Sequence, residues 1–564
     1  MPRQYNMPEW LPWEQNASPM FLTMTLNAGM RELRQYFGTA LWTTVILFEE
    51  GQAQWMFRPK ELKLLGQKMI DFLLCPAYRV AFETGYEESE ASLLAEAKRI
   101  QFEIDPMSLS DADLIAAFED QCKRYYSWYR FGWFCEPVSF QGQDILSAWL
   151  EKHTDKLPNG MDPGTAVKAL LVVDDVSFTT DILKHLRECA AELAKALADS
   201  ELLSALRSLP EGEDFGARAA QIILNRREDL SAVESLMSKV EEHSAQFFWK
   251  RSNYFSTEFL TAQDVLEDLL GREGLDLDDP VSVFSGELEK ISIGRQQDLE
   301  ARQQILDLLP AYERGVATLA SSVGGSLMEA RKKTIMIANS AFDRLIGEVT
   351  RRTESKIEDC RLLIPQEFGY FLHSPESYSS RFEDRRVLFV VYQGDHPVLD
   401  EMISDIPLDE KPAPLGFEHL HMLDPYVAEG AVAEDALARL DSRLGFLAHE
   451  EAADRVTLQG VVTYSNSEQP FIEGIVRIVR DPKRQALQEG EILVAPSTTP
   501  DYAEQIRRCR AILTDWGGQT SHAAIVSREL GKPCIIGMSY ASRVLMDGMK
   551  IRLDMKEGTV AIVG

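Results

Sequence analysis

The stretch TDWGGQTSHAAIVSRELGKPCIIG, residues 514–537, is the most informative part of this 564-residue sequence. Two glycines, Gly517 and Gly518, precede a short polar turn, and the helical pattern AAIVSREL follows directly after His522. Gly531 ends that pattern, and a proline two residues later prevents the helix from continuing before an apolar strand begins. The pattern therefore predicts that His522 lies in the first turn of a helix, beside glycines that allow another molecule to approach the backbone closely.

The position of His522 suits phosphate chemistry better than it suits a cation. Helix N-termini favour negative charge, so a histidine there is well placed to hold a phosphoryl group. An alternative also fits the residues, because a single histidine beside serine and threonine is most often a satisfied polar residue. Thr520 and Ser521 would equally suit an ordinary helix N-cap.

The same segment resembles the swivelling phosphohistidine domain of the phosphoenolpyruvate-utilising enzymes. The string GG-x-TSHAAI-x-x-RELG-x-P carries the resemblance, which extends over residues 456–564. Further matching positions are Gly460 and residues 473–477, 490–494, 497–501, 547–548 and 558–560. The resemblance implies a compact α/β domain of the β/β/α type in which His522 is transiently phosphorylated.

The imidazole is chemically able to play that part. It is nucleophilic at neutral pH because its unperturbed pKa is near 6.5, and a covalent intermediate divides a difficult transfer into two easier ones. We expect main-chain N–H groups over the turn to support the phosphate, and the expected turn residues are Gly517, Gly518, Thr520 and Ser521. Arg528, seven residues beyond Ser521, is a further candidate for phosphate contact. A surface ion pair is an equally good interpretation of Arg528.

The resemblance is closest to the acceptor-plus-histidine part of rifampin-phosphotransferase-like or phenylphosphate-synthase-like enzymes. Residues 1–455 show no glycine-rich nucleotide loop followed by ATP-grasp-like alternation, and we expect no phosphoenolpyruvate barrel after the histidine domain. The family pattern then implies that ATP and Mg²⁺ bind a separate ATP-grasp subunit, and that none is bound by this chain. His522 would carry the phosphoryl group to an organic, hydroxyl-bearing acceptor on the helical domain.

Two other functions remain open at this level. The chain could be a non-catalytic regulatory or docking protein whose swivel domain only binds a partner. It could also be a phosphoryl carrier linked to phosphoenolpyruvate, although the barrel that normally binds that substrate is missing from the pattern.

Charge divides the chain near residue 455. Residues 456–564 carry 13 Lys+Arg and 12 Asp+Glu, whereas residues 1–455 carry a net charge of −31. An acidic body argues against nucleic acid or an anionic membrane surface as a partner. We therefore expect a multidomain protein with a mainly α-helical acceptor domain over 1–380, a strand-containing connector and linker over 381–455, and the swivelling α/β domain over 456–564.

The cysteines and the hydropathy pattern indicate a cytoplasmic protein. The seven cysteines are odd in number and form no CxxC motif, which is typical of reduced thiols. Residues 1–20 lack the apolar run of a signal peptide, and no apolar stretch is long enough to span a bilayer.

Helical periodicity dominates the body, in segments 60–74, 87–104, 110–128, 179–206 and 296–346. The pair Gly324-Gly325 predicts a kink or break in the last of these. Residues 41–57 fit either a β-hairpin or a loop between helices, and residues 387–392 form a buried-strand pattern. Residues 406–417 indicate a surface loop, residues 431–447 a helix, and residues 448–460 the hinge.

The acceptor pocket should lie in the helical body. Tyr125, Trp128 and Tyr129 would share one helical face, and aromatic walls suit a planar or apolar acceptor. His243 and Trp249 could also serve the pocket, His243 as the base that deprotonates the acceptor hydroxyl. A plain packing face and a structural histidine are the competing interpretations. No metal site is predicted, since the pair at 419 and 421 lacks a third ligand.

Overall fold

The computed structural model describes residues 4–5, 11–15, 17–22, 24–25, 33, 37, 43–49, 52–57, 59–173, 177–210, 215–272, 274–394, 426–431, 433–434, 446–447, 458–465, 470–538 and 541–563. The predicted loop at 406–417 lies outside these residues, as does most of the predicted hinge at 448–460. In the described part of the chain, no helix is both long and apolar enough to pass through a bilayer.

The body is mainly helical, as the sequence predicts. Its α-helices are α1 (Pro59–Leu73), α2 (Pro76–Lys98), α3 (Asp111–Gly132), α4 (Cys135–Lys152), α5 (Pro163–Leu170), α6 (Phe178–Ala196), α7 (Ser200–Arg207), α8 (Phe215–Asn225), α9 (Ser231–Gln246), α10 (Ala262–Leu270), α11 (Pro280–Leu306), α12 (Ala311–Ser321), α13 (Leu327–Thr353), α14 (Ile357–Cys360), α15 (Phe368–His373) and α16 (Ser379–Val387).

Side-chain caps set several helix starts. The Ser110 hydroxyl accepts a hydrogen bond from the Asp113 N–H at 3.1 Å and begins α3, as predicted. The helical pattern at 179–206 is divided into α6 and α7 because the Asp199 carboxylate caps a new start, accepting from Leu202 N–H at 2.8 Å.

A π-helical turn over Ser322–Ser326 joins α12 to α13 without interrupting the rod. It contains the glycine pair for which the sequence predicts a kink or break. A Cβ atom on Gly324 would lie 3.0 Å from Ser139 Cα, and one on Gly325 would overlap Val173 Cγ1. The glycines therefore let this turn lie directly against its neighbours, which include α4.

The N-terminal and connecting segments contribute strands. They are β1 (Gln4–Tyr5), β2 (Leu11–Gln15), β3 (Thr43–Glu49), β4 (Gln52–Phe57), β5 (Leu388–Gly394), β6 (Tyr426–Glu429) and β7 (Phe446–Leu447). Five of them form a sheet in the order β2-β4-β3-β5-β6, in which β3 and β4 form the hairpin alternative considered for 41–57. Because β5 pairs with β3, the connector is hydrogen-bonded to the N-terminal segment.

The helix predicted over 431–447 is only partly observed. Ala431, Ala433 and Glu434 are helical, but Phe446–Leu447 is a strand, β7, that pairs antiparallel with β1. The prediction is wrong at that end because pairing with a distant strand overrides a local helical pattern. The residues between lie outside the described part of the chain.

Arg385 anchors the connector to the helical body. Its buried guanidinium donates to both carboxylate oxygens of Glu367 at 2.7 Å and to the Glu429 carboxylate at 2.5 Å. It also donates to the Leu362 carbonyl oxygen at 2.9 Å. The connector strand β6, which ends at Glu429, is thus held by a charge network as well as by the sheet.

The C-terminal domain is a mixed α/β module. Its elements are β8 (Val461–Tyr464), β9 (Phe471–Ile478), β10 (Ile492–Ala495), α17 (Ala503–Arg508), β11 (Ala511–Thr514), α18 (His522–Glu529), β12 (Cys534–Ile536), α19 (Ala541–Val544), β13 (Lys550–Asp554) and β14 (Thr559–Ile562). The sheet order is β14-β13-β9-β10-β11-β12-β8, with the four strands from β9 to β12 parallel. Strands β10, β11 and β12 are buried throughout, as expected for parallel strands covered on both faces.

Candidate functional site

His522 lies beyond the carboxyl end of the central parallel strand β11, at the first position of α18. The carboxyl ends of parallel strands are the usual place for ligands in such sheets. Ser521 is the N-cap, and its hydroxyl accepts a hydrogen bond from Ala524 N–H at 3.4 Å. Gly517 has a φ of +136°, which favours glycine, so the turn requires the residue that the sequence provides there. The predicted helix start is confirmed.

The His522 ring is buried between the two domains. Its Nδ1 atom lies 3.4 Å from Oε2 of Glu329, a residue of α13 in the body. Its face stacks on Phe178, the first residue of α6, with ring centroids 5.2 Å apart and an interplanar angle of 14°. A carboxylate therefore fixes the edge of the imidazole, and an aromatic ring fixes its plane.

Burial lowers the pKa of His522, although Glu329 acts in the opposite direction. Burial would raise the pKa of Glu329, but Lys332 and His522 lower it to about 2. The pair is consequently a neutral imidazole beside an ionised carboxylate. Nδ1 then carries the proton and donates it toward Glu329, which leaves the lone pair on Nε2.

His522 lines a cavity of about 80 Å³ between the body and the C-terminal domain. The cavity walls come from the N-terminal segment, α3, α4 and α13 on one side, and from the turns near 498 and 517 on the other. Aromatic and aliphatic side chains form much of the lining, namely Phe21, Trp55, Tyr129, Phe140, Tyr254, Met328, Ile335 and Trp516. The histidine thus faces a largely apolar space.

Two cations of α13 reach the same cavity. Arg331 donates to the Glu136 carboxylate at 2.8 Å and to the Gly132 carbonyl oxygen at 2.6 Å, and its guanidinium lies 5.5 Å from the centroid of the Tyr129 ring. The Lys332 ammonium lies 3.3 Å from the Glu329 carboxylate. Both cations are buried, and each has a carboxylate partner.

Polar contacts hold the C-terminal domain against the body. The hydroxyl oxygens of Ser139 and Thr520 are 2.7 Å apart. Other cross-domain contacts are Asn253 Nδ2 to Asp501 Oδ2 at 3.2 Å, Ser177 N–H to Glu529 Oε1 at 3.0 Å, and Lys483 Nζ to Glu258 Oε2 at 3.3 Å. These contacts position His522 at the cavity.

The structure brings part of the predicted set together. Gly517, Gly518, Thr520 and Ser521 line the cavity with His522, and so does Tyr129. Tyr125 and Trp128 are fully buried behind Tyr129, with centroids 5.5 and 5.7 Å from its ring. They support the wall without forming it.

The remaining predicted residues lie elsewhere. Trp249 contacts Phe178 at a centroid distance of 5.4 Å and is one ring removed from His522. His243 packs against His185 and Phe247 away from the cavity, and burial lowers its pKa to about 3, which is too low for a general base near neutral pH.

Arg528 lies outside the cavity that His522 lines. Its side chain donates to the carbonyl oxygens of Ala524, at 2.9 Å, and Gln519, so it fastens the turn to the helix. It lines a separate cavity of about 40 Å³ together with Asp298 and Glu529. The half-buried Arg528 side chain therefore does not line the cavity of His522.

Sequence reasoning missed Glu329, Arg331, Lys332 and Ser139. The segment EARKK over 329–333 resembles any charged, solvent-facing helix turn, and only three-dimensional structure reveals that its first, third and fourth residues are buried. The nearby pair Gly324-Gly325 is the sequence signal that could have indicated burial, because it allows neighbouring segments to pack closely against the start of this helix. Among the described residues, no group of three or more His, Cys, Asp or Glu side chains could hold a metal ion.

Comparison with known proteins identifies relatives of the C-terminal domain. The family described as PEP-utilising enzyme, mobile domain, matches residues 487–558. The probable phosphoenolpyruvate synthase of Archaeoglobus fulgidus is 41% identical over 112 residues, or 20% of this chain and 14% of the relative. The phosphoenolpyruvate synthase of Pyrococcus furiosus gives the same values, and the probable one of Methanothermobacter thermautotrophicus is 34% identical over 143 residues, or 25% of this chain and 21% of the relative. The chain thus covers at most about a fifth of these relatives.

Proposed function

We propose that this chain is a phosphotransferase in which His522 carries the phosphoryl group, since its residues 487–558 match the mobile domain of PEP-utilising enzymes. The acceptor binds in the cavity between the domains. The observation that supports this most directly is the position of the His522 ring, which lines the cavity while Glu329 of the body lies at its Nδ1 edge.

The local groups suit each part of the transfer. Glu329 keeps the proton on Nδ1 and stabilises the positive charge that the ring gains when Nε2 bears phosphorus. The N-terminus of α18 offsets negative charge on the phosphoryl oxygens. Positioning and charge stabilisation are most of what phosphoryl transfer asks of a protein.

The second half-reaction can be written with every atom placed. The acceptor hydroxyl oxygen attacks phosphorus, a P–O bond forms, and the bond between phosphorus and Nε2 breaks. The neutral imidazole leaves with its proton on Nδ1, held by Glu329, while the proton of the hydroxyl passes to an oxygen of the new phosphate ester. The histidine is then ready for another phosphoryl group.

The docked arrangement represents the acceptor half of this cycle. With His522 buried, a nucleotide could not reach Nε2, so the first half-reaction requires the C-terminal domain to leave the body. We assign the donor to ATP and Mg²⁺ on an ATP-grasp partner subunit. Phosphoenolpyruvate as donor is the competing source.

Intact-mass measurement tests the proposal. The purified chain is incubated with Mg²⁺ and clarified host extract, and with either ATP or phosphoenolpyruvate. We expect one acid-labile phosphoryl group from ATP, and none on the His522→Asn variant. His373→Gln, an exposed histidine at the end of α15, is the matched control and should be labelled normally.

If only phosphoenolpyruvate labels the chain, then it replaces ATP as the proposed donor, and His522 remains the proposed carrier. Labelling that persists in His522→Asn would refute the carrier role. Labelling of His522 without transfer to any acceptor would favour a regulatory or docking protein.

A further inference from the structure

We infer that the acceptor in this cavity is a small, uncharged and largely apolar alcohol, and that the cavity rejects carboxylates. The inference rests on the proposed function, since it describes what would receive the phosphoryl group from His522. It goes beyond that function in excluding keto acids such as pyruvate from the acceptor site of the body.

The first argument is the charge balance of the cavity. Its ionisable lining, among the described residues, consists of Glu136, Arg331, Lys332 and His522, together with the tyrosines. Arg331 is neutralised by a bidentate pair with Glu136, and Lys332 by Glu329. These pairs are almost completely buried, so each charge is compensated by its partner. No cation there is left to balance an acceptor carboxylate.

The second argument concerns the donors that remain. Trp516 Nε1 and Thr498 Oγ1 are both buried, both belong to residues that line the cavity, and neither has a hydrogen-bond partner within the described structure. Both are uncharged. Arg331 also keeps one unused N–H, at Nε, although its charge is compensated. Such groups suit an acceptor hydroxyl, and they leave an acceptor carboxylate poorly compensated.

The third argument is the phosphoryl group itself. It brings about 1.5 to 2 negative charges to the cavity when His522 is loaded. A carboxylate on the acceptor would add repulsion at short range in a space walled by Phe21, Trp55 and Tyr129. An apolar body with one hydroxyl gains from the same walls.

The volume limits the size of the acceptor in the docked state. A cavity of about 150 Å³ holds benzene, and this cavity is about 80 Å³. We therefore choose probes with four carbons. Isobutanol and isobutyrate share a carbon skeleton and differ in whether the end group is a hydroxyl or a carboxylate.

The experiment is a ligand-observed NMR titration of the unphosphorylated full chain with each probe. We expect isobutanol to bind at least 10-fold more tightly than isobutyrate. Glu136→Gln removes the partner of Arg331 and should reduce that ratio at least 10-fold by admitting isobutyrate. Glu300 is an exposed residue of α11 that does not line the cavity, so Glu300→Gln makes the same charge change and should leave the ratio unchanged.

Equal or tighter binding of isobutyrate to the wild-type chain would overturn the inference, and so would the absence of isobutanol binding. Should Glu136→Gln fail to fold, the wild-type ratio alone decides. The titration is repeated on His522→Asn. Preference for the alcohol there, combined with no phosphorylation of the wild type, would show that the cavity selects alcohols over carboxylates while refuting the carrier proposal and with it the acceptor role.

Discussion

Glu529, the last residue of α18, accepts hydrogen bonds from both the backbone N–H and the hydroxyl of Ser177, the N-cap of α6 in the body. The next residue of α6, Phe178, stacks on His522 at the other end of α18. One helix of the C-terminal domain is thus held at both ends by consecutive residues of one body helix. This contact holds the docked position through a carboxylate at a helix N-terminus, and the Ser177 hydrogen bonds there oppose the burial that raises the pKa of Glu529.

Glu529→Gln should loosen the docked state. Losing the charge–dipole attraction and the charge-assisted hydrogen bonds costs about 1.5 kcal/mol, or about 10-fold in the docking equilibrium. Amide hydrogen exchange should accelerate by that factor at the N-terminal turn of α6 and along α18. Glu489→Gln, an exposed glutamate of the same domain, is the control. Unchanged exchange in the Glu529 variant would mean that this contact does not limit undocking.

Glu329→Gln should slow transfer of the phosphoryl group from His522 to the acceptor about 100-fold, because in the docked state the amide no longer fixes the proton on Nδ1 of the leaving imidazole. The carboxylate raises the pKa of His522, so the variant should have a still lower pKa. Rapid-quench mass spectrometry gives the rate, and NMR of the ring gives the pKa. Glu300→Gln should behave as the wild type. A Glu329 variant with a near-normal rate would remove Glu329 from the mechanism.

Asp501 should make stability depend on pH. Burial raises its pKa to about 6, although Thr499, Lys483 and Asn253 act to lower it. The folded state therefore binds this proton more tightly than the unfolded chain does, and the residue's favourable contribution at pH 4 is lost as the pH rises through 6. The loss amounts to about 2 kcal/mol by pH 8.

Asp501→Asn removes that titration. The urea midpoint of the variant, measured relative to that of the wild type, should rise between pH 4 and pH 8. The exposed Asp155→Asn substitution should show a constant difference across the same range. A constant difference for the Asp501 variant as well would show that this carboxyl titrates normally.

Gly325→Ala should destabilise the body, because the added Cβ would overlap Val173. The π-helical turn cannot move away from Val173 without changing its contact with α4. We expect a loss of about 1–3 kcal/mol, the usual cost of overpacking. Gly347→Ala, in the middle of α13 with open space around it, is the matched control and should stabilise by about 0.5–1 kcal/mol. Thermal unfolding measures both. Equal effects would mean that packing at the turn is loose.

The local features of the site could be predicted from the sequence. The glycine pair before Ser521 and the stop at Gly531 determine α18, because turn geometry and capping depend on a few adjacent residues. Residues 60–74 and 110–128 became helices for the same reason, since their apolar spacing is read within one element. The phosphohistidine resemblance added the chemistry of His522.

What the sequence could not supply is the partner surface. Glu329 meets His522 across 193 positions of the chain, and nothing in a charged helical segment distinguishes a buried residue from a solvated one. Tyr125 and Trp128 share a helical face with Tyr129, yet only Tyr129 lines the cavity. Which of the three rings does so depends on the rotation of α3 about its axis, and the sequence does not specify that rotation. His243 is an imidazole that could act as a base, but it packs against His185 and Phe247 instead of lining the cavity.

The π-helical turn at 322–326 also determines the direction in which the side chains of α13 point around the helix axis. Each residue advances an α-helix by about 100°, so the additional residue in this turn rotates Glu329, Arg331 and Lys332 by about that angle relative to α12. Deleting one residue here would preserve a continuous helix and aim different side chains at His522. Relatives of the body should therefore be aligned by helical phase through this turn, since an indel of one residue would change the reactive face while sparing the fold.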